Sequence, residues 1–141
     1  MDRRRAEQFC RSYEDASRRG DPMAIASHYG FPFTAFTLGD VSTFTDREEA
    51  NGRVAWQLDR IASTGVGNDI RLDGLEIVAV SEYLALCHLT WSIRPTNGTS
   101  PWTWTNVYAL REAAGTLYFE AAFADNEIAE LLKRFPDAYS T

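Results

Sequence analysis

Residues 102–124 read WTWTNVYALREAAGTLYFEAAFA. Large apolar side chains alternate with small or polar ones on both sides of Ala113-Ala114-Gly115, which is the period of two β-strands joined by a short turn. We therefore predict strands over 102–111 and 116–124 that pair antiparallel. Successive side chains of a strand point to opposite faces, so the large side chains of each strand share one face of the sheet.

The strand period extends towards the N-terminus as far as Ile70. It predicts two further strands, over 72–80 and 84–93, joined at Ser81-Glu82. The dipeptide Asn97-Gly98 predicts a tight hairpin turn in the middle of this series. Because all three connections are short, we expect the four strands to form one antiparallel meander.

Before Gly65, apolar residues recur mostly at the three- and four-residue steps of an amphipathic helix. The predicted elements are helices over 3–19, 22–29 and 45–63, a short hairpin over 33–44, and a short final helix after Asp125. Helices that precede one strongly bent antiparallel sheet make an α+β domain. A curved sheet with helices across its open side encloses a space of the kind that binds small ligands.

Length, composition and charge exclude several classes of protein. The chain has 141 residues, which at roughly 100–200 residues per domain predicts a single domain over 1–141. Aromatic residues make up 13%, enough to build a core and still line a cavity. The net charge of −6 argues against a nucleic-acid partner, and no stretch approaches the ~20 apolar residues of a membrane helix. The N-terminus lacks the apolar run of a secretory signal, so we expect a cytoplasmic protein with Cys10 and Cys87 reduced.

Five segments carry a resemblance to a known family: 13–22, Tyr29 ahead of Phe31-Pro32, the capped helix that begins at Thr45, 106–108 and 121–125. Their order resembles the nuclear transport factor 2-like (NTF2-like) superfamily, and the chain is most similar to its small bacterial SnoaL-like, or polyketide cyclase-like, branch. The resemblance implies a cone-shaped barrel, in which a short hairpin and four long strands pack on three N-terminal helices. The superfamily includes isomerases, dehydratases, cyclases and members without catalysis, so the resemblance implies a pocket rather than one reaction.

The steroid isomerases of this superfamily offer a comparison at the level of residues. They place a Tyr on helix 1 and an acid on a late strand to hold an enolate oxygen. The resemblance puts Tyr13, eight residues before Asp21, and Asn106 at these two positions. It puts Thr37 near the position of the proton-moving carboxylate, and a hydroxyl group is not a base at neutral pH. Isomerisation of the steroid type is therefore disfavoured.

Strand alternation and the family resemblance together predict which side chains face the cavity. The expected ligand pocket consists of Tyr13, Trp56, Trp91, Trp104, Asn106, Tyr108, Phe119 and Phe123, with Ala121 also facing inward. No residue is assigned a catalytic role. The two histidines, His28 at a half-exposed position and His88 on the outer face, have no third ligand at a recognisable spacing. We therefore expect neither a metal nor a cofactor.

Two functions stay open. The first is a domain that binds a small hydrophobic molecule in an aromatic, mostly apolar pocket. The alternative is a cofactor-free cyclase, isomerase or hydratase that acts on a small hydrophobic carbonyl compound, with Tyr13 and Asn106 as oxyanion donors. The second hypothesis lacks a general base.

The strand over 84–93 is apolar on both faces. Leu84, Leu86 and His88 share the face that points away from the cavity. An antiparallel sheet with one solvated face normally alternates apolar with polar residues, and large exposed apolar patches mark interaction sites. We therefore expect a homodimer that forms through this outer face.

Overall fold

The computed structural model of the protein describes residues 1–95 and 100–139, so the turn predicted at Asn97-Gly98 lies outside the described residues. The helices are α1 (Arg3–Arg19), α2 (Pro22–Ala26), α3 (Arg47–Ser63) and α4 (Asp125–Arg134). The strands are β1 (Tyr29–Thr37), β2 (Asp40–Phe44), β3 (Ile70–Ala79), β4 (Leu84–Ile93), β5 (Trp102–Ala113) and β6 (Thr116–Phe123). The predicted α+β class is confirmed.

One sheet with the order β2-β1-β6-β5-β4-β3 contains all six strands. The predicted meander from β3 to β6 is confirmed, because each of its neighbours pairs antiparallel. The short hairpin of β1 and β2 joins it through a parallel pairing of β1 with β6, which makes the sheet mixed. Within the described residues β2 and β3 remain the two edges, so the sheet curls around the core without closing into a barrel.

The ends of the first helices follow local sequence signals. Gly20 ends α1 in the left-handed region at φ 62°, and the Asp21 carboxylate accepts hydrogen bonds from the first turn of α2. The expectation that α2 extends to Tyr29 is wrong, because Tyr29 is already the first residue of β1 and pairs with Phe119. The cap of α3 is Asp46 rather than Thr45.

A bulge in β6 reverses the orientation of the last residues of this strand. Glu120 has no residue opposite it in the register of β5, because Phe119 and Ala121 pair with consecutive residues of that strand. One extra residue exchanges the inward and outward positions that follow it. Ala122 therefore faces the core in place of Ala121, and Phe123 is 42% exposed. The inward orientations expected for Ala121 and Phe123 are wrong for this reason.

The core lies between the inner face of the sheet and the helices. Cys10 of α1 and Cys87 of β4 are buried there as free thiols. His28 is also buried, at 8% exposure, and the half-exposed position expected for it is wrong. Its Nδ1 lies 2.9 Å from the Ala24 carbonyl and its Nε2 lies 3.0 Å from the Ser12 hydroxyl. Because a carbonyl only accepts, Nδ1 donates and Nε2 accepts. Burial lowers the pKa of His28, so the ring is a neutral structural group.

None of the helices in residues 1–95 and 100–139 is long and apolar enough to cross a membrane.

Candidate functional site

A cavity of about 170 Å³ lies between the inner face of the sheet and the helices α1, α3 and α4. Aliphatic and aromatic side chains form most of its wall, among them Ile25, Phe33, Val54, Leu58, Ile61 and Ile70. Its volume is below the roughly 300–1,000 Å³ that pockets for drug-sized ligands enclose. The cavity therefore suits a small molecule.

Five of the eight residues predicted for the pocket line this cavity: Tyr13, Trp91, Trp104, Asn106 and Tyr108. Four of them lie on β4 and β5, where the alternation is regular and places every second residue inward. Trp91 and Trp104 are directly opposite each other on the two strands, with ring centroids 6.4 Å apart. Together these two indoles make one wall of the cavity.

The other three predicted residues lie elsewhere. Phe119 is fully buried beneath the cavity, where its ring contacts Tyr13 at 5.1 Å and does not reach the lining. Phe123 lies on the outer face because of the β6 bulge. Trp56 is 39% exposed on α3 and stacks on Tyr139, 5.4 Å away, outside the cavity wall. The apolar face of α3 turns Val54 and Leu58 inward instead.

A chain of hydrogen-bonded side chains forms one part of the cavity lining. The Tyr13 hydroxyl lies 2.6 Å from the Tyr29 hydroxyl and 3.3 Å from the Tyr108 hydroxyl. Asn106 Nδ2 donates to the Tyr108 hydroxyl at 3.4 Å and to Glu127 Oε2 at 3.4 Å. Four secondary-structure elements, α1, β1, β5 and α4, therefore meet at one polar network, which we call the Tyr-Asn-Glu chain.

The chemistry of the groups fixes the donor at one end of this chain. An amide nitrogen only donates, so the Tyr108 hydroxyl accepts from Asn106. In the contacts of Tyr13 with Tyr29 and Tyr108, either hydroxyl can be the donor, because each has one proton and two lone pairs. The three hydroxyls have three protons for these two contacts, so one hydroxyl proton is left without an acceptor among residues 1–95 and 100–139. The chain thus has one free hydroxyl donor, and it ends at the carboxyl group of Glu127.

Burial raises the pKa of each of the three tyrosine hydroxyls well above its ordinary value. They stay protonated at any physiological pH and act as hydrogen-bond donors rather than as bases. Within the chain the carboxyl group of Glu127 is therefore the group that changes its charge near neutrality.

Glu127 is a residue that the sequence analysis missed. It lies in the first turn of α4, and its carboxyl group lines the cavity. Desolvation raises the pKa of Glu127 to about 7, against the opposing hydrogen bond from Asn106 and the positive charge of Arg53. The helix reaches this place partly because the Asn126 side chain accepts a 2.6 Å hydrogen bond from the backbone N–H of Thr105 on β5. No pattern in the sequence indicated that contact.

Arg53 of α3 is the one cationic side chain in the cavity lining that the structure describes. Its guanidinium carbon lies 4.2 Å from the centre of the Trp56 ring, which is outside the cavity. It forms no ion pair within 4 Å in the described part of the chain. Among the same residues, no group of three or more His, Cys, Asp or Glu side chains is arranged to hold a metal ion.

Solved structures resemble this fold at low sequence identity. A domain of unknown function with a cystatin-like fold from Nostoc punctiforme PCC 73102 is 16% identical, with 96% of this chain and 86% of that chain covered and a TM-score of 0.69. A ketosteroid isomerase-like protein from Erwinia carotovora atroseptica SCRI1043 is 17% identical, with 83% and 89% covered and a TM-score of 0.60. An NTF2-like protein of unknown function from Shewanella oneidensis MR-1 is 15% identical, with 87% and 98% covered and a TM-score of 0.62. These similarities show the fold alone.

Sequence comparison gives the family. No curated protein matches the chain. A family model described as "NTF2-like protein (DUF6841)" matches residues 3–128, which include the sheet, the first three helices and Glu127. The resemblance to the NTF2-like superfamily is therefore confirmed, and the chain belongs to its DUF6841 family.

Proposed function

We propose that the protein binds a small, mostly apolar molecule in the cavity between its sheet and its helices. The observation that carries this proposal is a cavity with aromatic walls whose lining includes the Tyr-Asn-Glu chain. A filled core would gain more from apolar side chains, because buried polar groups cost free energy unless they are paired. A few convergent polar groups in an apolar cavity are typical of a ligand site.

Native mass spectrometry of the purified protein tests this proposal. We expect a small-molecule adduct that disappears in Ala122→Phe, because Ala122 lines the cavity and a phenyl ring there fills it. The matched control is Ala121→Phe, its neighbour on the outer face of the same strand, which should keep the adduct. Circular dichroism checks that both variants fold. Loss of the adduct in the control alone, or its persistence in Ala122→Phe, would contradict the assignment of this cavity.

A second candidate function is favoured by Glu127. The hypothesis of a cofactor-free cyclase, isomerase or hydratase lacks a base at Thr37, and the Glu127 carboxyl supplies a proton acceptor in the same cavity. With a pKa of about 7, it can take up and release a proton near neutral pH. The one hydroxyl proton that the three tyrosines leave without an acceptor is available to stabilise an oxyanion.

Deuterium exchange distinguishes the second candidate from simple binding. A small hydrophobic ketone in deuterated water should exchange its α-protons faster with the protein than without it, and Glu127→Gln should abolish the acceleration. Acceleration that survives in Glu127→Gln would assign the chemistry to another group. Exchange at the uncatalysed rate with the unchanged protein favours the binding function.

We also infer that the outer face of the sheet forms a homodimer contact. Leu84, Leu86 and His88 are half-buried on this face in the single chain. Val78 on β3 and Phe123 on β6 extend it as side chains that are each 42% exposed. Apolar side chains spread over neighbouring strands favour association by a twofold contact, which would bury on the order of 800 Å² per partner. Light scattering should give the mass of two chains, and the mass of one chain at micromolar concentration would refute the dimer.

A further inference from the structure

We propose that the ligand of this cavity is a small apolar molecule with a protonated amine, and that its ammonium group pairs with the Glu127 carboxylate beside Asn106. This inference rests on the proposed binding function and adds to it the chemical class of the ligand. The cavity geometry, the unpaired charge of the carboxylate and the free hydrogen-bond acceptors at one end of the Tyr-Asn-Glu chain carry it.

The carboxylate of Glu127 has no cationic partner within 4 Å in the part of the chain that the structure describes. It is the one acidic side chain in the described lining of the cavity, and none of the ion pairs among the described residues includes it. Arg53 acts on it only through its charge, because the Arg53 guanidinium lies over the Trp56 ring. Glu127 is half-buried in the wall of the cavity. A charge that is withdrawn from water is costly unless it is paired, so the site has most to gain from a ligand that brings a cation.

The free hydrogen-bonding atoms near Glu127 are acceptors. Glu127 Oε2 accepts from Asn106, whereas Oε1 has no donor among residues 1–95 and 100–139. Asn106 Oδ1 is buried and has no donor in the same part of the chain. Both N–H groups of the Asn106 amide are already directed to Tyr108 and Glu127. An ammonium group has three donors and no acceptor, which matches this end of the chain.

The walls of the cavity are compatible with a cation. Trp91, Trp104 and Tyr108 all contribute aromatic rings to the lining. A cation within about 6 Å of an aromatic face is attracted by the electrons of the ring, and most strongly by Trp. The apolar part of the ligand would pack against Val54, Leu58 and Ile61 on α3. The same side chains would exclude water and strengthen the ion pair.

Other ligand classes fit this end of the cavity less well. An anionic ligand would bring a second negative charge next to Glu127. A neutral ligand can donate a hydrogen bond to the carboxylate but would leave its charge without an opposite charge. The indole N–H of Trp104 is also buried without an acceptor among the described residues. A hydroxyl oxygen can accept this hydrogen bond, so a neutral alcohol is the ligand class to compare with the amine in the experiment.

The groups around Glu127 determine how binding depends on pH. Asn106 and Tyr108 face it from β5, Tyr29 from β1, Arg53 from α3 and Tyr139 from the C-terminal segment. In the free protein the pKa of Glu127 is raised to about 7, and an ammonium partner would lower it. Binding of the amine therefore releases a proton below pH 7. Its affinity should rise up to tenfold per pH unit as the pH increases towards about 7 and then level off.

Isothermal titration calorimetry with three ligands of nearly equal size tests the inference: benzylamine, benzyl alcohol and benzoate. Near pH 8 we expect the unchanged protein to bind benzylamine at least about tenfold more tightly than benzyl alcohol, and benzoate more weakly than either. Near pH 5.5 the preference for the amine should shrink. Glu127→Gln should abolish this preference and keep the binding of benzyl alcohol.

A matched variant separates the local charge from the net charge of the protein. Glu130→Gln removes one negative charge from the same helix, where Glu130 pairs with Lys133 at 2.9 Å, and should keep the preference for the amine. Equal binding of amine and alcohol by the unchanged protein would overturn this inference and leave the proposed binding function intact. A preference for the amine that persists in Glu127→Gln would also overturn it. If none of the three ligands binds, the inference fails, and the adduct in native mass spectrometry decides separately whether the cavity binds anything.

Discussion

Strand β5 presents two different surfaces from one alternating sequence. Its inward residues from Trp102 to Tyr108 are at most 6% exposed and carry the cavity wall and the Asn106 amide. Its outward residues between them are half-buried or exposed, with no polar network of comparable extent in the described chain. One period of two residues thus produces both a candidate ligand site on the inner face and a candidate protein contact on the outer face. Substitutions on the two faces should therefore have different consequences.

The largest difference is expected between two phenylalanines of β6. Phe119→Ala removes a ring that is fully buried against Tyr13 and Tyr108, and should lower the free energy of unfolding by roughly 3–5 kcal/mol. Phe123→Ala, on the outer side of the bulge at 42% exposure, should cost clearly less. Urea denaturation of both variants measures the two values. Equal costs would mean that the bulge does not separate the two faces.

A charged substitution on the outer face is expected to disrupt the proposed dimer rather than the fold of the single chain. His88→Arg places a longer, permanently charged side chain in the centre of the proposed contact, so light scattering should change from the mass of two chains to that of one. Met23→Arg adds the same charge at a side chain of α2 that is 66% exposed, and should leave the mass unchanged. A dimer that survives His88→Arg would exclude the face around His88 as the contact.

The inner face should respond to pH through Glu127. Its folded-state pKa of about 7 is above the ordinary 4.5. Between these two pH values the folded state therefore keeps a proton on Glu127 that the unfolded state has lost. The stability that this proton contributes to the folded state is fully present below about pH 4.5 and is lost as the pH rises through 7. Without ligand, Glu127→Gln should therefore be more stable than the unchanged protein near pH 8, by about 1–3 kcal/mol, and equally stable near pH 4. Glu130→Gln is the control, and a gain that does not depend on pH would contradict the assignment.

The smallest effect is expected from the middle of the Tyr-Asn-Glu chain. Tyr13→Phe removes the hydroxyl that links Tyr29 to Tyr108 and keeps the ring, so the loss should be near 1 kcal/mol. Tyr83→Phe, at a side chain that is 58% exposed, should change the stability by much less. Thermal unfolding of both variants compares them. No difference between the two would mean that the buried hydroxyl contributes nothing to folding.

Much of the inner face could be predicted because its alternation is unbroken. The pattern of β5 places Trp104, Asn106 and Tyr108 on one face, and the apolar stripe of α1 turns Tyr13 towards the same space. Helix caps such as Asp21 were predictable for a similar reason, since the side-chain chemistry acts within a few residues.

The rest of the site depends on tertiary contacts. The bulge at Glu120 inserts one residue without a sequence signal, and this is why Phe123 was placed on the wrong face. Glu127 enters the cavity only because α4 packs across β5, which the hydrogen bond from Asn126 to Thr105 helps to fix. A glutamate in the first turn of a helix is an ordinary surface feature, so the position of Glu127 in the sequence does not distinguish it from a solvated side chain.

The proposed function depends on a desolvated carboxyl group, that of Glu127, in the cavity on the inner face of the sheet. Carbon-13 NMR of the Glu127 side-chain carboxyl, assigned by comparison with Glu127→Gln and titrated in the absence of ligand, tests it most directly. The structure predicts a pKa of about 7 for Glu127, and a fall in this value when benzylamine is added. A titration at the ordinary glutamate value of 4.5, unaffected by the amine, would contradict it.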